Sequence, residues 1–385
     1  MPVVNNAMGP VCVTGASGYI GSHVVKNLVE HGYVVRACVR DKNREDKTSH
    51  LSEMNKGAGL GRVELYEADM LVDRAYDEPF KGCSAVFHVA ADIGTDPAYG
   101  KIDAQRMYKG LVEATQKVLD SVERSGTVKR LIYTSSCAAV MGPAPPGYVF
   151  TEADWSGAGG RELLEKKWKA RDGTTAWTVE RNAYAKGKVD CEVMTYAWGD
   201  SKGIDVITCC PDHVLGPLLC QAHDTIWQHR LGEIFAGKYS LDMLWNITDV
   251  RDVADSQRRM AESGSANNGS RYILASPGDA SGWVTAREMV VMLRKAYPET
   301  KNEVGGPKEL PPDRDGGKAT CRLAETQLGL RCHLVHDTLK DTVDSLEWFG
   351  CLKKIKDRMD ERARAEKAGK PIAARNPDRP SEAKL

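Results

Sequence analysis

Short, almost wholly apolar runs alternate along this chain with longer stretches in which apolar residues recur every three or four positions. The first run, Val11-Cys12-Val13-Thr14, leads into Gly15-Ala16-Ser17-Gly18-Tyr19-Ile20-Gly21. Behind it Ile20, Val24, Val25, Leu28 and Val29 fall at helical spacing until Gly32 closes the helix. Residues 34–40, 63–69, 85–91, 130–136, 205–211 and 271–275 repeat the strand pattern. Residues 101–124 read as a long helix, and Asn182 opens another. Alternating strands and helices predict parallel crossovers, an α/β protein with a doubly wound sheet.

The glycines give this pattern its chemistry. Gly15, Gly18 and Gly21 sit between a buried strand and a helix. The first permits the tight turn, the second lets backbone approach a pyrophosphate, and the third lets the helix pack closely on the strand. The turn therefore predicts a Rossmann-type dinucleotide site, with Gly15, Ser17, Gly18, Tyr19, Ile20 and Gly21 as its cofactor contacts. The second strand ends in Arg40, where a guanidinium can clasp a 2′-phosphate and so favours NADP(H) over NAD(H); Asp41 follows at once and blurs that signal. Asp69 and Met70 are expected near the adenine. Val89, Ala90 and Ala91 end the fourth strand in small residues suited to close contact with the dinucleotide, and Pro211 ends the sixth. Residues 10–211 are read as the dinucleotide-binding domain, with 246–276 returning to it. Residues 212–245 and 277–352 are read as a smaller C-terminal substrate-side lobe, and 353–385 as a charged tail.

Ser136 falls at the carboxyl end of the fifth strand, where open α/β sheets keep their ligands. Tyr184 and Lys188 are four apart and share one helix face. A free phenol titrates at about pH 10, and a neighbouring ammonium favours its anion, which suits a tyrosine to proton transfer. A tyrosine and lysine at this spacing are common on helices; their position downstream of the glycine turn and of Thr134-Ser135-Ser136 is what singles them out. His213, in what reads as a loop over the nicotinamide, is taken as an ordinary loop histidine rather than a general base.

Composition narrows the remaining classes. The chain carries 53 Lys and Arg against 53 Asp and Glu, so no global field points to nucleic acid or an anionic membrane surface. No apolar run is long enough to span a bilayer, and residues 1–10 are too short and uncharged for a signal or transit peptide. The 11 cysteines include no C-x-x-C pair, and Cys12, Cys38, Cys209 and Cys210 fall in core strands as small hydrophobes. The 9 histidines show no H-x-x-x-H spacing, so metal chemistry finds no support there.

Taken together, VCVTGASGYIGSHVV, VRACVRD, GCSAVFHVAA, RLIYTSSCAAV, the Tyr184/Lys188 pair, CCPDHVLGP, GSRYILAS and DTVDSLEWFG resemble the extended short-chain dehydrogenase/reductases. Within them, the chain is similar to the dihydroflavonol 4-reductase and cinnamoyl-CoA reductase group over residues 10–352. The resemblance implies Ser136, Tyr184 and Lys188 as catalytic residues, with Ser136 rather than Ser135 in the serine position. It also implies Arg40 on the 2′-phosphate. The reaction it implies is NADPH-dependent reduction of an aldehyde or ketone, hydride coming from the nicotinamide and the proton from Tyr184. Residues 182–188, NAYAKGK, keep the Asn, Tyr, Gly and Lys of the cinnamoyl-CoA reductase signature NWYCYGK but not its Trp, Cys and second Tyr. Residues 156–181 are longer than the family's usual segment and highly charged, which reads as a surface excursion more than a lid. Two other readings stand beside the first: a sterol-type or nucleotide-sugar dehydrogenase/epimerase of the same fold, and a catalytically silent NADP(H)-binding sensor or scaffold.

Residues 353–367 are mostly charged and predict at best a solvated helix; the proline-broken, polar remainder is expected to be disordered. The chain closes on Ala383-Lys384-Leu385, which resembles the S-K-L class of peroxisomal address and implies an import receptor as partner. The expected location is a peroxisome or glycosome-like organelle, with the cytoplasm as the alternative. Tagged at its N-terminus with a fluorescent protein, the full chain should give punctate signal and a chain lacking Leu385 diffuse signal. Diffuse signal from both would remove the expectation.

Overall fold

The computed structural model describes residues 4–56, 61–91, 103–142, 144, 147–156, 178–237, 244–300, 303–305 and 317–367. Most of the charged segment 156–181, residues 92–102 and Ala383-Lys384-Leu385 lie outside the described residues.

The elements run β1 (Val11–Thr14), α1 (Tyr19–Glu30), β2 (Val34–Val39), α2 (Glu45–Glu53), β3 (Arg62–Glu67), α3 (Asp77–Phe80), β4 (Ala85–His88), α4 (Ala104–Ser125) and β5 (Arg130–Thr134). They continue with β6 (Val149–Phe150), α5 (Val179–Lys202), β7 (Asp205–Pro211), β8 (His213–Leu215), α6 (Ile226–Phe235), β9 (Leu244–Asp249), α7 (Val250–Glu262) and β10 (Arg271–Leu274). Last come β11 (Trp283–Thr285), α8 (Ala286–Ala296), β12 (Lys318–Ala319), α9 (Arg322–Leu328), α10 (Val335–Trp348) and α11 (Cys351–Lys367).

Seven parallel strands form the main sheet in the order β10-β7-β5-β4-β1-β2-β3. Successive side chains of a strand point to opposite faces, and both faces are covered. Val11, Val13, Val35, Ala37 and Phe87 pack with α1 and α7, whereas Cys12, Cys38, Val86, Leu131 and Tyr133 pack with α4 and α5. This is why the strands read as continuous apolar runs rather than as alternating ones. The strand order reverses between β1 and β4, which opens a crevice at their carboxyl ends.

Three expectations shift. Residues 212–217 are not simply a loop: His213–Leu215 forms β8, which pairs in parallel with β9, and β11 completes a second sheet of three strands. Because β9 runs to Asp249, the chain returns to the main domain at α7 rather than at residue 246. The boundary at residue 352 also moves, since α11 extends to Lys367. Cys351, Leu352 and Ile355 are buried at helical spacing, and Ile355 Cδ1 fills the space that a side chain on Gly232 would need, 2.5 Å from an added Cβ. A few apolar residues placed three and four apart suffice to dock an otherwise charged helix.

Two buried guanidinium groups bind the layers together. Arg130, at the start of β5, donates to the carbonyls of Met260, Ala261 and Ser263 at the end of α7, at 3.1, 3.0 and 2.7 Å, and to Asp205 at 3.1 Å. Arg271 on β10 pairs with Glu192 on α5, both side chains being almost wholly out of solvent. It also donates to the carbonyls of Glu152 and Ala139, at 3.2 and 3.1 Å, and lies 3.9 Å over the Trp155 ring. Breaking one side of such a pair leaves the other charge buried and uncompensated, at a cost of about 3–5 kcal/mol. Arg271→Met should therefore lower unfolding free energy by that order in urea titration, and Arg271→Met with Glu192→Leu by less than the sum of the single changes. Additive losses would count against the pair.

Candidate active site

Gly15 follows β1 with φ at +65°, a left-handed conformation that glycine adopts without a Cβ penalty. A Cβ there would lie 2.9 Å from the Cα and N of Ala90, across the reversal of strand order. At Gly21 a Cβ would come within 2.2 Å of the Gly15 carbonyl oxygen. Gly18 caps α1 and donates its N–H to that same oxygen at 3.0 Å. No side chain caps α1 and no acidic residue occupies its first turn, so its positive end is left for an anion. Dinucleotide pyrophosphate fits this turn: the backbone is close, uncapped and cleared of side chains.

The other predicted contacts separate into two groups. Val89 and Ala90 donate their N–H groups to Thr14 Oγ1, at 3.2 Å each, and Thr14 Oγ1 lies 2.8 Å from His88 Nδ1. With two N–H groups donating to it, the Thr14 hydroxyl sends its proton to His88. Sequence reasoning passed over Thr14, which shapes the floor of the crevice. Arg40 follows β2, exposed, and no described residue pairs with its guanidinium, whereas Arg44 is held by Asp46 at 2.8 Å. Ser17 and Ile20 are half-buried at the turn, and Ala91 is exposed. Pro211 is buried at the end of β7, opposite Leu274. Tyr19 differs from expectation in its side chain. The ring is buried and its hydroxyl donates to the Gly216 carbonyl at 2.9 Å, so only its backbone belongs to the turn. Asp69 accepts the Leu71 N–H at 2.9 Å, and Met70 is buried beside it.

Asn182 has φ −158° and ψ 83° within the span of α5, and its Oδ1 accepts the Ala185 N–H at 3.0 Å. It thus caps the helical segment that carries Tyr184 in its first turn. Lys188, one turn on, is buried; its Nζ donates to the Thr134 carbonyl at 3.0 Å and lies 5.8 Å from the centre of the Tyr184 ring. The lysine therefore joins the tyrosine to the end of β5, two residues before Ser136. Gly187 lets α5 approach α4, since a Cβ there would meet Leu111 Cδ1 at 2.6 Å.

The two serines part company. Ser135 is buried and donates to Glu192 at 2.7 Å, inside the Arg271 network. Ser136 is half-buried, its Oγ accepting only the Ala138 N–H at 3.1 Å, so its proton is not committed to a described residue. His213 is not on a loop. It is a buried β8 residue between the Trp227 and Trp245 rings, at 4.3 and 5.1 Å, and its Nδ1 accepts the Asn246 N–H at 3.1 Å.

Comparison with known proteins identifies the family. Residues 11–275 match the NAD dependent epimerase/dehydratase family. The chain belongs to that family. It is 32% identical to cinnamoyl-CoA reductase 2 of Arabidopsis thaliana over 89% of its own length and 93% of that protein. It is 31% identical to the bifunctional dihydroflavonol 4-reductase/flavanone 4-reductase of Malus domestica, over 75% of its length and 76% of the relative. Among solved structures, the yeast methylglyoxal/isovaleraldehyde reductase Gre2 complexed with NADPH superposes with a TM-score of 0.69 at 21% identity, covering 89% of this chain and 99% of that one. That likeness is one of fold. The chain is an NAD(P)-dependent oxidoreductase of the same family as the two plant enzymes.

Burial pushes His88 down to about 3, and the Lys188 charge adds to the effect. A histidine kept neutral in the fold stabilises it fully above its unfolded value of about 6.5, and that stability is lost as pH falls toward the folded value. Unfolding free energy should thus decline below about pH 6.5, with a limiting slope of about 1.4 kcal/mol per pH unit from this residue. His88→Gln should flatten the decline between pH 6.5 and 5. An unchanged slope would count against a neutral His88.

Proposed function

We propose that the protein is an NADPH-dependent reductase that converts an aldehyde or ketone to the alcohol. The observation that carries this is Lys188. Its buried ammonium stands under the Tyr184 ring and is anchored to the carbonyl of Thr134, beside a serine whose hydroxyl proton is uncommitted. The bound nicotinamide supplies the hydride. Gly15, Gly18 and Gly21 hold the pyrophosphate against the open end of α1, and Arg40 receives the 2′-phosphate. Ser136 donates a hydrogen bond to the substrate oxygen and fixes it near the phenol. Tyr184 gives its proton to that oxygen as negative charge develops there. Lys188 stabilises the phenolate left behind, and its own charge is held in place by Thr134.

The plant relatives are named for reduction of dihydroflavonol and cinnamoyl-CoA, and the yeast reductase of the same fold is complexed with NADPH. The plant relatives support a carbonyl reductase reading over an epimerase one, and Arg40, with which no described residue pairs, supports NADPH over NADH.

NADPH oxidation across small aldehydes, ketones and acyl-CoA thioesters tests the reading; consumption with none of them would remove it. With any substrate so found, Tyr184→Phe should cut kcat by about a hundredfold or more with little change in NADPH affinity. Arg40→Ala should erase most of an NADPH preference that charge-assisted hydrogen bonds set at about 1.5–3 kcal/mol. Near-normal turnover in the first variant, or an unchanged preference in the second, would reassign the role concerned.

A further inference from the structure

Behind the glycine turn, three side chains from separate parts of the chain converge. His50 comes from the last turn of α2, and Cys220 and His223 from the short turn where the chain enters the small lobe. One ligand atom of each lies within 4.8 Å of those of the other two. Cys220 and His223 are buried and His50 half-buried, so the group can be reached from solvent.

Hydrogen-bond accounting fixes what His50 offers. Ser22 Oγ lies 2.8 Å from the Ala16 carbonyl oxygen, which can only accept, so the hydroxyl proton goes there. The same Oγ lies 2.8 Å from His50 Nε2 and must therefore accept from it. That tautomer leaves His50 Nδ1 a bare lone pair, and this atom is buried with no hydrogen-bond partner among the described residues. An orphaned buried acceptor costs about 1–3 kcal/mol. Donation of the far N–H to a neighbouring oxygen is also the outer contact that orients metal-ligating imidazoles.

The other two members bring a second imidazole and a thiol. His223 Nδ1 accepts the Leu219 N–H at 3.2 Å, which leaves the ring proton on Nε2, 3.3 Å from both the Ser17 carbonyl and Ser22 Oγ; Nδ1 can ligate an ion by giving up that one hydrogen bond. Two imidazoles and a thiolate select a borderline-soft ion and disfavour calcium or magnesium.

We propose that His50, Cys220 and His223 form a binding site for one Zn²⁺-type divalent ion, with the fourth position left to solvent. Tetrahedral bonds of about 2.0–2.1 Å to nitrogen and 2.3 Å to sulfur set the ligand atoms about 3.3–3.6 Å apart, so separations of up to 4.8 Å must shorten by up to about 1.5 Å. Binding forms the metal–sulfur bond and releases the thiol proton to solvent. The ion would tie α2, which follows the Arg40 loop, to the lobe across the glycine turn.

The full-length wild-type chain and Cys220→Ser are stripped with chelator and titrated side by side with Co²⁺, then with Zn²⁺. Metal held by the separate group Cys321, Glu325 and Cys332 then appears in both. The wild type should bind one more equivalent than the variant and should show a near-ultraviolet thiolate-to-cobalt band, displaced by Zn²⁺, that Cys220→Ser loses. His50→Gln, which keeps the thiol and changes a half-exposed residue, should lose the same equivalent and serves if Cys220→Ser fails to fold. Equal stoichiometry and equal absorption in wild type and variants, or no binding by the wild type, overturns the site.

Discussion

The buried pair of Glu192 and Arg271 is the interaction on which the arrangement of the site depends. It spans from α5 to β10, and its remaining hydrogen-bonding capacity is spent on the segment between β5 and α5: Ser135, the carbonyl of Ala139 and that of Glu152. Burying two charges is costly unless geometry and further hydrogen bonds compensate. Here the compensation draws the strand end and the helix with Tyr184 and Lys188 into a fixed relation. It also decides which of two adjacent serines is structural. Ser135 is consumed by Glu192, and the extended backbone at Ser136 carries the next side chain away from that network.

A second constraint acts at the reversal of strand order. There β1 and β4 come so close that Gly15 has no room for a side chain against Ala90, and Gly21 none against Gly15. Thr14 satisfies the two N–H groups that end β4 and passes its own proton to His88. The backbone of the crevice is therefore set by hydrogen bonds from below while its upper surface stays clear. Lys188 reaches the same region from the other side of β4, its charge felt at His88.

The small lobe is bound to this framework through the glycine turn. Tyr19 holds Gly216, His23 lies 2.9 Å from the Pro217 carbonyl, and His223 lies 3.3 Å from the Ser17 carbonyl. Burial pushes His23 down to about 4 and His223 to about 3, so this seam is uncharged at neutral pH.

What the sequence determined by itself was whatever depends on local periodicity and local backbone chemistry. The strands and helices and their alternation, the glycine turn and its helix, the helix opened at Asn182 and the shared face of Tyr184 and Lys188 all follow from neighbours in the chain. The buried cysteines of the core strands were legible for the same reason. Tertiary structure decided what depends on residues far apart. Tyr19 looks like a cofactor contact until Gly216 claims its hydroxyl, and His213 looks like a loop residue until β9 gives it a strand to pair with. α11 looks like a solvated tail until α6 offers Gly232 to Ile355. Thr14, Arg130 and the Glu192–Arg271 pair gave no local signal, because a side chain's partner in a folded chain is set by packing, which a one-dimensional pattern does not record.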